Sequence, residues 1–300
     1  MIPVYKNQVQ LLLEVLPEVA KEESFVMHGG TAINLFVRDL PRLSVDIDLT
    51  FVDLVERDEF LVGMNEGLSR IQARINLLNP TIDVQHDSRK GKLHIEKAGV
   101  SIKVEVNMVG RGLLGEPQQL QLCEEAQDKF DSFCIMPVVP TGQLYGGKIC
   151  AALDRQHPRD LFDVRLMLDN EAINDQIKQG FIFSLLCSNR PTHELLNPNR
   201  QDQTSAFEQQ FVGMSEIDFS YQDYENTREE LIELVNATLT ELDKQFILIF
   251  NQLEPDWSHY DFKDFPSIKW KLLNLQKFKN KDLSQYQYQL EELTKILGLE

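Results

Sequence analysis

The stretch MHGGTAINLFVRDLPRLSVDIDLTF, residues 27–51, constrains the fold more than any other part of the sequence. A Gly-Gly pair precedes a short helical segment, and the stretch ends in an alternating run that predicts a β-strand over 45–52. Side chains two positions apart on a strand point to the same side, so Asp46 and Asp48 share one face and the apolar residues between and beside them pack on the other. The stretch therefore predicts a glycine turn and helix followed by a strand with two carboxylates on its polar face.

The remaining patterns predict an α+β part followed by a helical part. Strands are expected at 24–27 and 133–139, together with a β-hairpin over 93–107 that turns at Ala98-Gly99. Helical periodicity is found at 8–22, 57–78, 142–154, from Pro158 onward, at 224–252, 268–277 and 283–297, with a polar connection at 188–205. We therefore predict two domains, an α+β core with a small mixed β-sheet at 1–170 and a helical C-terminal region at 171–300.

Composition excludes several classes of protein. The four cysteines are scattered without C-x-x-C spacing, which indicates neither a zinc site nor a disulfide framework. The formal net charge of -17 opposes a generic nucleic-acid binder, so any RNA contact must be local. The sequence has neither a secretory signal nor an apolar run of about 18 residues, so a soluble cytoplasmic protein without membrane contact is expected.

The carboxylate pair indicates a cation site. Two like charges roughly 7 Å apart on a strand repel unless a cation lies between them. Mg²⁺ suits such a place because it binds carboxylate oxygens together with substrate phosphates, and Glu105 in IKVEVN is the best-placed third carboxylate. The alternative is a solvated acidic face, since a chain with 47 acidic residues contains roughly seven acid-x-acid pairs by chance.

Gly29, Gly30 and Thr31 form the second element of the candidate site. Glycines at a helix start leave backbone N–H groups open to phosphate oxygens, and the helix dipole favours an anion there. Alternatively, the pair is only a tight turn between strand and helix. Together with Asp46 and Asp48, however, the turn would hold a polyphosphate beside the metals that bridge it.

The order strand, Gly-Gly, short helix and D-x-D resembles the DNA polymerase β-like nucleotidyltransferases, and its spacing is most similar to the AbiEii/AbiGii toxin branch, which includes the MenT toxins. The segment GQLYGGKICAALDRQHPRDLFDVRLM, residues 142–167, resembles the later motifs of that branch. The resemblance implies that Lys148 contacts the nucleotide, with Arg155 facing the same cleft, and that one of Asp160 and Asp163 is essential. A structural alternative is that Asp160 stabilises its helix dipole and Asp163 pairs with Arg159. Gly30 occupies the position at which many polymerase β-like enzymes have a serine.

The resemblance implies a polymerase β-like core and a metal-dependent transfer of NMP from an NTP to an acceptor hydroxyl. Asp46, Asp48 and Glu105 would hold Mg²⁺ or Mn²⁺, and Gly29, Gly30, Thr31, Lys148 and Arg155 would bind the nucleotide. Catalysis would depend on Asp46, Asp48, Lys148 and Asp160. The expected partners are tRNA as the acceptor and a cognate antitoxin. Two alternatives stay open: a small-molecule (aminoglycoside-type) or protein acceptor, and an inactive acidic helical interaction module.

Two clusters of basic residues offer a local RNA contact in spite of the net charge. Arg89, Lys90, Lys92, Lys97 and Lys103 lie on or beside the hairpin, and Arg155, Arg159 and Arg165 lie near the later motif. Lysines on a solvated sheet edge that prevent aggregation would give the same pattern. His28, beside the glycines, is expected to make a structural hydrogen bond or to lie next to a phosphate rather than to act as a general base.

Overall fold

The computed structural model describes residues 3–299, which form two compact units. Unit 1 runs to Pro140 and also contains Glu208–Asp218, and unit 2 comprises Thr141–Phe207 and the chain from Phe219 onward. The predicted boundary at residue 170 lies inside unit 2. The division at that point into a catalytic core and a helical region stays a prediction.

Unit 1 is built on a mixed seven-stranded sheet, counted over the described residues. Its strands are β1 Phe25–His28, β2 Asp46–Phe51, β3 Asp83–Asp87, β4 Lys92–Lys97, β5 Val100–Arg111, β6 Gln118–Gln121 and β7 Ile135–Val138. Their order is β3-β4-β5-β2-β1-β7-β6, with β2/β5 and β1/β7 parallel and the other neighbours antiparallel. The predicted α+β class with a mixed sheet is confirmed.

Two strands were not predicted from the sequence, and both lie at the edges of the sheet. β3 buries only one of its five residues and β6 reads Gln-Gln-Leu-Gln, so neither has the apolar alternation that marks a half-buried strand. An edge strand is held mainly by backbone hydrogen bonds to a single neighbour, and polar side chains there discourage pairing with other chains. Their sequences therefore carry little signal.

The helices of unit 1 cover the sheet. They are α1 Pro3–Ala20, α2 Gly29–Ala32 with a π-helical turn at Ile33–Val37, α3 Arg57–Leu78 and α4 Glu124–Phe130. α3 has the predicted bounds and buries Phe60, Met64, Leu68 and Ile71, the i, i+4 stripe of a helix that faces a core. A methyl group added to Gly67 would lie 2.8 Å from the ring of Phe25, so this glycine lets α3 approach β1 closely.

From Thr141 onward the chain is helical. The helices are α5 Thr141–Arg155, α6 Pro158–Asn170, α7 Asp175–Cys187, α8 Thr192–Leu196, α9 Thr204–Gln210, α10 Tyr221–Thr238, α11 Glu241–Asn251, α12 Pro266–Lys281 and α13 Leu283–Leu297. The single helix predicted over 224–252 is wrong, because Thr240 and Asp243 form a capping box that starts a new helix. The connection at 188–205 also contains α8 and the start of α9. No helix of the described chain combines the length and apolar character needed to cross a membrane.

A close helix crossing in unit 2 positions α5. A methyl group on Gly146 would lie 2.1 Å from a backbone carbon of Gly180, and one on Gly180 would lie 2.0 Å from the carbonyl oxygen of Gly142. No side chain fits in this space, so α5 and α7 pack backbone against backbone. This crossing fixes the helix that carries Lys148 and Arg155.

Candidate functional site

The glycine turn of unit 1 rests against the acidic strand. His28, the last residue of β1, pairs with Asp48 on antiparallel β2, and Gly29 follows with φ +80°. A methyl group on Gly29 would lie 2.4 Å from Asp48 Oδ2. Only glycine tolerates both the left-handed backbone and this approach. The Asp48 carboxylate therefore lies directly beside the backbone of the turn.

The polar face of β2 has the predicted composition. Asp46 and Asp48 are half-buried, whereas Ile47 and Leu49 are fully buried on the opposite face. Within residues 3–299 no hydrogen bond or ion pair engages the Asp48 carboxylate. Asp48 is therefore a half-buried charge without a protein partner in the described chain, which is the arrangement that a bound cation would stabilise.

Arg42 and Ser44 belong to the same site, although neither residue was predicted from the sequence as part of it. A methyl group on Gly30 would lie 2.8 Å from Arg42 Nη2 and 3.1 Å from Ser44 Oγ. Arg42 is only 2% exposed, and its Nη1 donates to the carbonyl oxygen of Leu43 at 2.9 Å. The sequence does carry a signal, because the polar residues 42, 44, 46 and 48 alternate with apolar ones. The structure thus adds a buried positive charge behind the glycine turn.

Side-chain hydrogen bonds hold the turn in place. Thr31 Oγ1 donates to the carbonyl oxygen of Asp46 and lies 2.9 Å from Ser44 Oγ. Asn34, in the π-helical turn, donates from Nδ2 to the carbonyl oxygen of Gly30 at 2.9 Å. The hydroxyl of Thr31 therefore joins α2 to β2, and the predicted phosphate contact of this residue would come from its backbone N–H.

Glu105 lies beside Asp48, but its carboxylate has a partner. The two residues are in register on parallel β5 and β2. Lys92, opposite Glu105 on β4, places Nζ 2.9 Å from Glu105 Oε1, and Lys103 lies at 4.0 Å. No group of three or more His, Cys, Asp or Glu side chains in the described chain is arranged to hold a metal ion. The role of Glu105 as a third metal ligand stays a prediction.

His28 makes a structural contact. Its Nδ1 lies 2.9 Å from Thr50 Oγ1, a residue 5% exposed on β2. This hydrogen bond ties the end of β1 to β2 and agrees with the expected structural role.

The motif of residues 142–167 forms a buried ion cluster in unit 2. Lys148 Nζ lies 2.9 Å from Asp160 Oδ1 and 2.9 Å from Asp163 Oδ2. Arg155 contacts both oxygens of Asp160, at 2.6 and 3.1 Å. Burial alone would raise the pKa of Asp160, but the charges of Lys148 and Arg155 outweigh it and hold the pKa well below its ordinary range.

The ion cluster shows how the charged residues of the motif lie relative to one another. Lys148 and Arg155 do share one side of α5, since both contact Asp160 at the start of α6. Lys148 contacts Asp163 across two helices, and the alternative pair of Asp163 with Arg159 stays a prediction. His157 caps α6 by accepting the backbone N–H of Arg159 at Nδ1, 3.2 Å away. The predicted roles of Lys148, Arg155 and Asp160 in nucleotide binding and catalysis stay predictions.

Comparisons with known proteins agree with this geometry. The family described as "Nucleotidyl transferase AbiEii toxin, Type IV TA system" matches residues 10–216. Among solved structures, the fold is similar to MenT4, a nucleotidyltransferase toxin from Mycobacterium tuberculosis H37Rv, with a TM-score of 0.60 and 14% identity over 91% of this chain and 97% of that one. No curated protein gave a significant match. On the family match, which spans the glycine turn, the acidic strand and the ion cluster, the chain belongs to the AbiEii nucleotidyltransferase toxins of type IV toxin–antitoxin systems.

Proposed function

We propose that the chain transfers NMP from an NTP to the hydroxyl of a tRNA and that Asp46 and Asp48 hold the divalent metal this transfer requires. The contact between the Gly29 turn and the Asp48 carboxylate carries the proposal, because it joins a candidate phosphate site to a candidate metal site. The acceptor hydroxyl loses its proton to water and its oxygen forms a bond to the α-phosphorus; the bond from the α-phosphorus to the oxygen that bridges it to the β-phosphorus breaks, and pyrophosphate leaves.

The donor set fits Mg²⁺ or Mn²⁺. Mg²⁺ is commonly held by one or two carboxylates together with substrate phosphates, and Asp46 and Asp48 offer two on one face of β2. When bound, the ion would supply charge stabilisation to the phosphates. We propose Glu105 as a third ligand that also orients the acceptor hydroxyl. In that role the Glu105 carboxylate would bind the ion in place of Lys92.

The protein's own groups act on the triphosphate. The backbone N–H groups of Gly29, Gly30 and Thr31 are proposed to donate to phosphate oxygens at the start of α2. The buried guanidinium of Arg42 adds a positive charge next to Gly30. Preorganised donors and charges of this kind need no rearrangement when negative charge develops during transfer.

Membership in the family supports a toxin that acts with a cognate antitoxin, and we propose a cytoplasmic tRNA as its acceptor. The net charge of -17 requires that RNA be bound at a restricted basic surface. The same charge favours a second candidate, a cationic small molecule of the aminoglycoside type as acceptor.

One assay separates these acceptors. The purified chain is incubated with each of the four NTPs, labelled at the α-phosphate, in the presence of Mg²⁺ and either total tRNA or an aminoglycoside. Label is expected in tRNA and is expected to disappear on addition of a chelator. Label in the drug alone would support the second candidate, and absence of transfer to any acceptor, the protein included, would support an inactive interaction module.

Substitution of Glu105 tests its proposed role. Glu105→Gln is expected to lower the rate of transfer and to raise the Mg²⁺ concentration that gives half the maximal rate. Lys92→Gln removes the same ion pair from the other side and is the control. Equal behaviour of the two variants would mean that only the ion pair matters, and Glu105 would then be no ligand.

A further inference from the structure

Helix α12, residues Pro266–Lys281, has a charge opposite to that of the chain. It carries no acidic residue and five lysines, Lys269, Lys271, Lys277, Lys279 and Lys281. The whole chain has 47 acidic and 30 basic residues. Exposed acids, Asp264 and Asp282, lie just outside its two ends. The helix is therefore a confined basic segment of an acidic protein.

One buried lysine fixes which side of α12 faces solvent. Lys271 is 7% exposed, and its Nζ donates to the carbonyl oxygens of Ser188 at 2.5 Å and Arg190 at 3.2 Å. Ile268, one turn earlier, is fully buried. The opposite side, which we call the α12 face, consists of Lys269, Trp270, Leu273, Lys277 and Lys281, all exposed. Their spacing follows the 3.6-residue period of a helix.

The lysines of the α12 face have no carboxylate partner in the described part of the chain. Within residues 3–299, none of Lys269, Lys277 and Lys281 forms an ion pair. The hairpin lysines differ, since Lys92 contacts Glu105 at 2.9 Å and Lys97 contacts Glu14 at 2.7 Å. The hairpin cluster that the sequence suggested for RNA is thus partly neutralised within the protein, whereas the α12 face offers its positive charge to solvent.

An exposed aromatic ring lies among these lysines. Trp270 is 44% exposed, and Lys277 Nζ lies 5.6 Å from its ring centroid. Leu273, 55% exposed, is the other apolar member of the α12 face. Two apolar residues are too few for insertion into a membrane surface, because the helices that bind there have a continuous apolar stripe. A ring flanked by ammonium groups suits a partner that has flat bases and phosphates.

We infer that the α12 face binds single-stranded RNA, with a base stacked on Trp270 and the backbone phosphates on Lys269, Lys277 and Lys281. At 1.5 Å per residue, the first two lysines are separated by about 12 Å along the helix and the last two by about 6 Å, so the three can follow one strand. Stacking and phosphate contacts together are the usual means of holding unpaired RNA without sequence preference. The inference rests on the proposed function, since the RNA bound is the acceptor, and the α12 face would be its local contact surface.

The test measures binding of a fluorescent oligo(A) of about twelve nucleotides to the full-length protein over a salt series. The triple variant K269Q/K277Q/K281Q is expected to bind about tenfold more weakly or worse, with the salt slope reduced by about 2. Trp270→Ala is expected to lose about fivefold in affinity, while Trp270→Phe, which keeps a ring, stays near wild type. The control K244Q/K263Q/K295Q changes as many charges elsewhere in unit 2 and is expected to bind normally.

Thermal unfolding checks that each variant is folded. If Trp270→Ala does not fold, Trp270→Phe keeps the test valid. Equal binding by the wild type and the triple variant, or no binding by the wild type, would overturn the inference. The inference would also be overturned by a triple variant that keeps its affinity for RNA but no longer binds anionic vesicles or the antitoxin. Pyrophosphate release with labelled NTP and tRNA is measured in parallel. RNA binding without pyrophosphate release would contradict the proposed function. Pyrophosphate release together with unchanged RNA binding by the triple variant would contradict only the role of the α12 face.

Discussion

Asp48 in unit 1 and Asp160 in unit 2 are both carboxylates enclosed by protein, and they differ in what neutralises them. Asp160 is 2% exposed and is contacted by Lys148 at 2.9 Å and by Arg155 at 2.6 Å. Asp48 is half-buried beside a glycine turn and has no cation among the described residues. The protein itself supplies the cations that neutralise Asp160, whereas no cation of the described residues pairs with Asp48.

From this difference we expect substitution of Asp160 to act mainly on stability and substitution of Asp48 to act mainly on the proposed metal binding. A buried ion pair loses much of its hydration and must recover that free energy from its partner, so removing one member is costly. A half-buried carboxylate without a partner contributes little to stability but attracts a metal ion strongly. Substitutions at the two places should therefore separate activity from stability.

The largest effect is expected on activity in unit 1. Replacing Asp46 and Asp48 together by Asn should lower transfer by about a thousandfold or more, because the proposed metal would lose its two ligands on β2. Unfolding by denaturant should be unchanged or slightly more difficult, since two like charges are removed. Asp53→Asn, an exposed position just after β2, is the control. Full transfer by the double variant would show that the acidic strand is a mere surface feature.

The next effect is on stability in unit 2. Asp160→Asn leaves the buried ammonium of Lys148 with one carboxylate and removes the partner of Arg155, and should cost about 3–5 kcal/mol of unfolding free energy. The matched control is Asp169→Asn, which breaks an exposed pair with Arg165 and should cost less than about 1 kcal/mol. Denaturant titration measures both. Similar values for the two variants would contradict the buried cluster.

The glycine turn gives a smaller effect with an internal control. Gly29→Ala and Gly99→Ala place a methyl group at φ +80° and +79°, but only the first meets an atom of Asp48, at 2.4 Å, while nothing lies within 4 Å of the second. Both variants should lose about 1–2 kcal/mol of stability from backbone strain. Only Gly29→Ala should also lose about tenfold or more in transfer, since Asp48 must move. Equal activity of the two variants would separate the turn from the site.

The smallest effect is on the pH dependence of stability. The folded pKa of Asp160 is depressed, so its stabilising contribution is complete above the unfolded pKa of about 3.9 and is lost as pH falls below it. The wild type should therefore lose stability below about pH 4 more steeply than Asp160→Asn. Unfolding free energies at a series of acidic pH values test this. Parallel curves for the two proteins would mean that Asp160 is not charged in the fold.

Sequence reasoning succeeded where the physical cause is local. The alternation of β2 placed Asp46 and Asp48 opposite Ile47 because a strand turns its side chains with a period of two. The bounds of α3 follow from its own apolar stripe. The break between α10 and α11 was local too, since Thr240 and Asp243 form a capping box, and the prediction missed it.

The sequence by itself determined the acidic strand, the glycine turn before it and the family to which they point, because glycine conformation and strand periodicity act between near neighbours. Only the tertiary structure decided which cation meets which carboxylate. Lys92 contacts Glu105, Lys148 contacts Asp160 and Asp163, and Arg42 lies behind Gly30, while the lysines of the α12 face form no ion pair within residues 3–299. An ion pair depends on a few ångströms between segments far apart in the chain, and that distance is set by the packing of the whole unit.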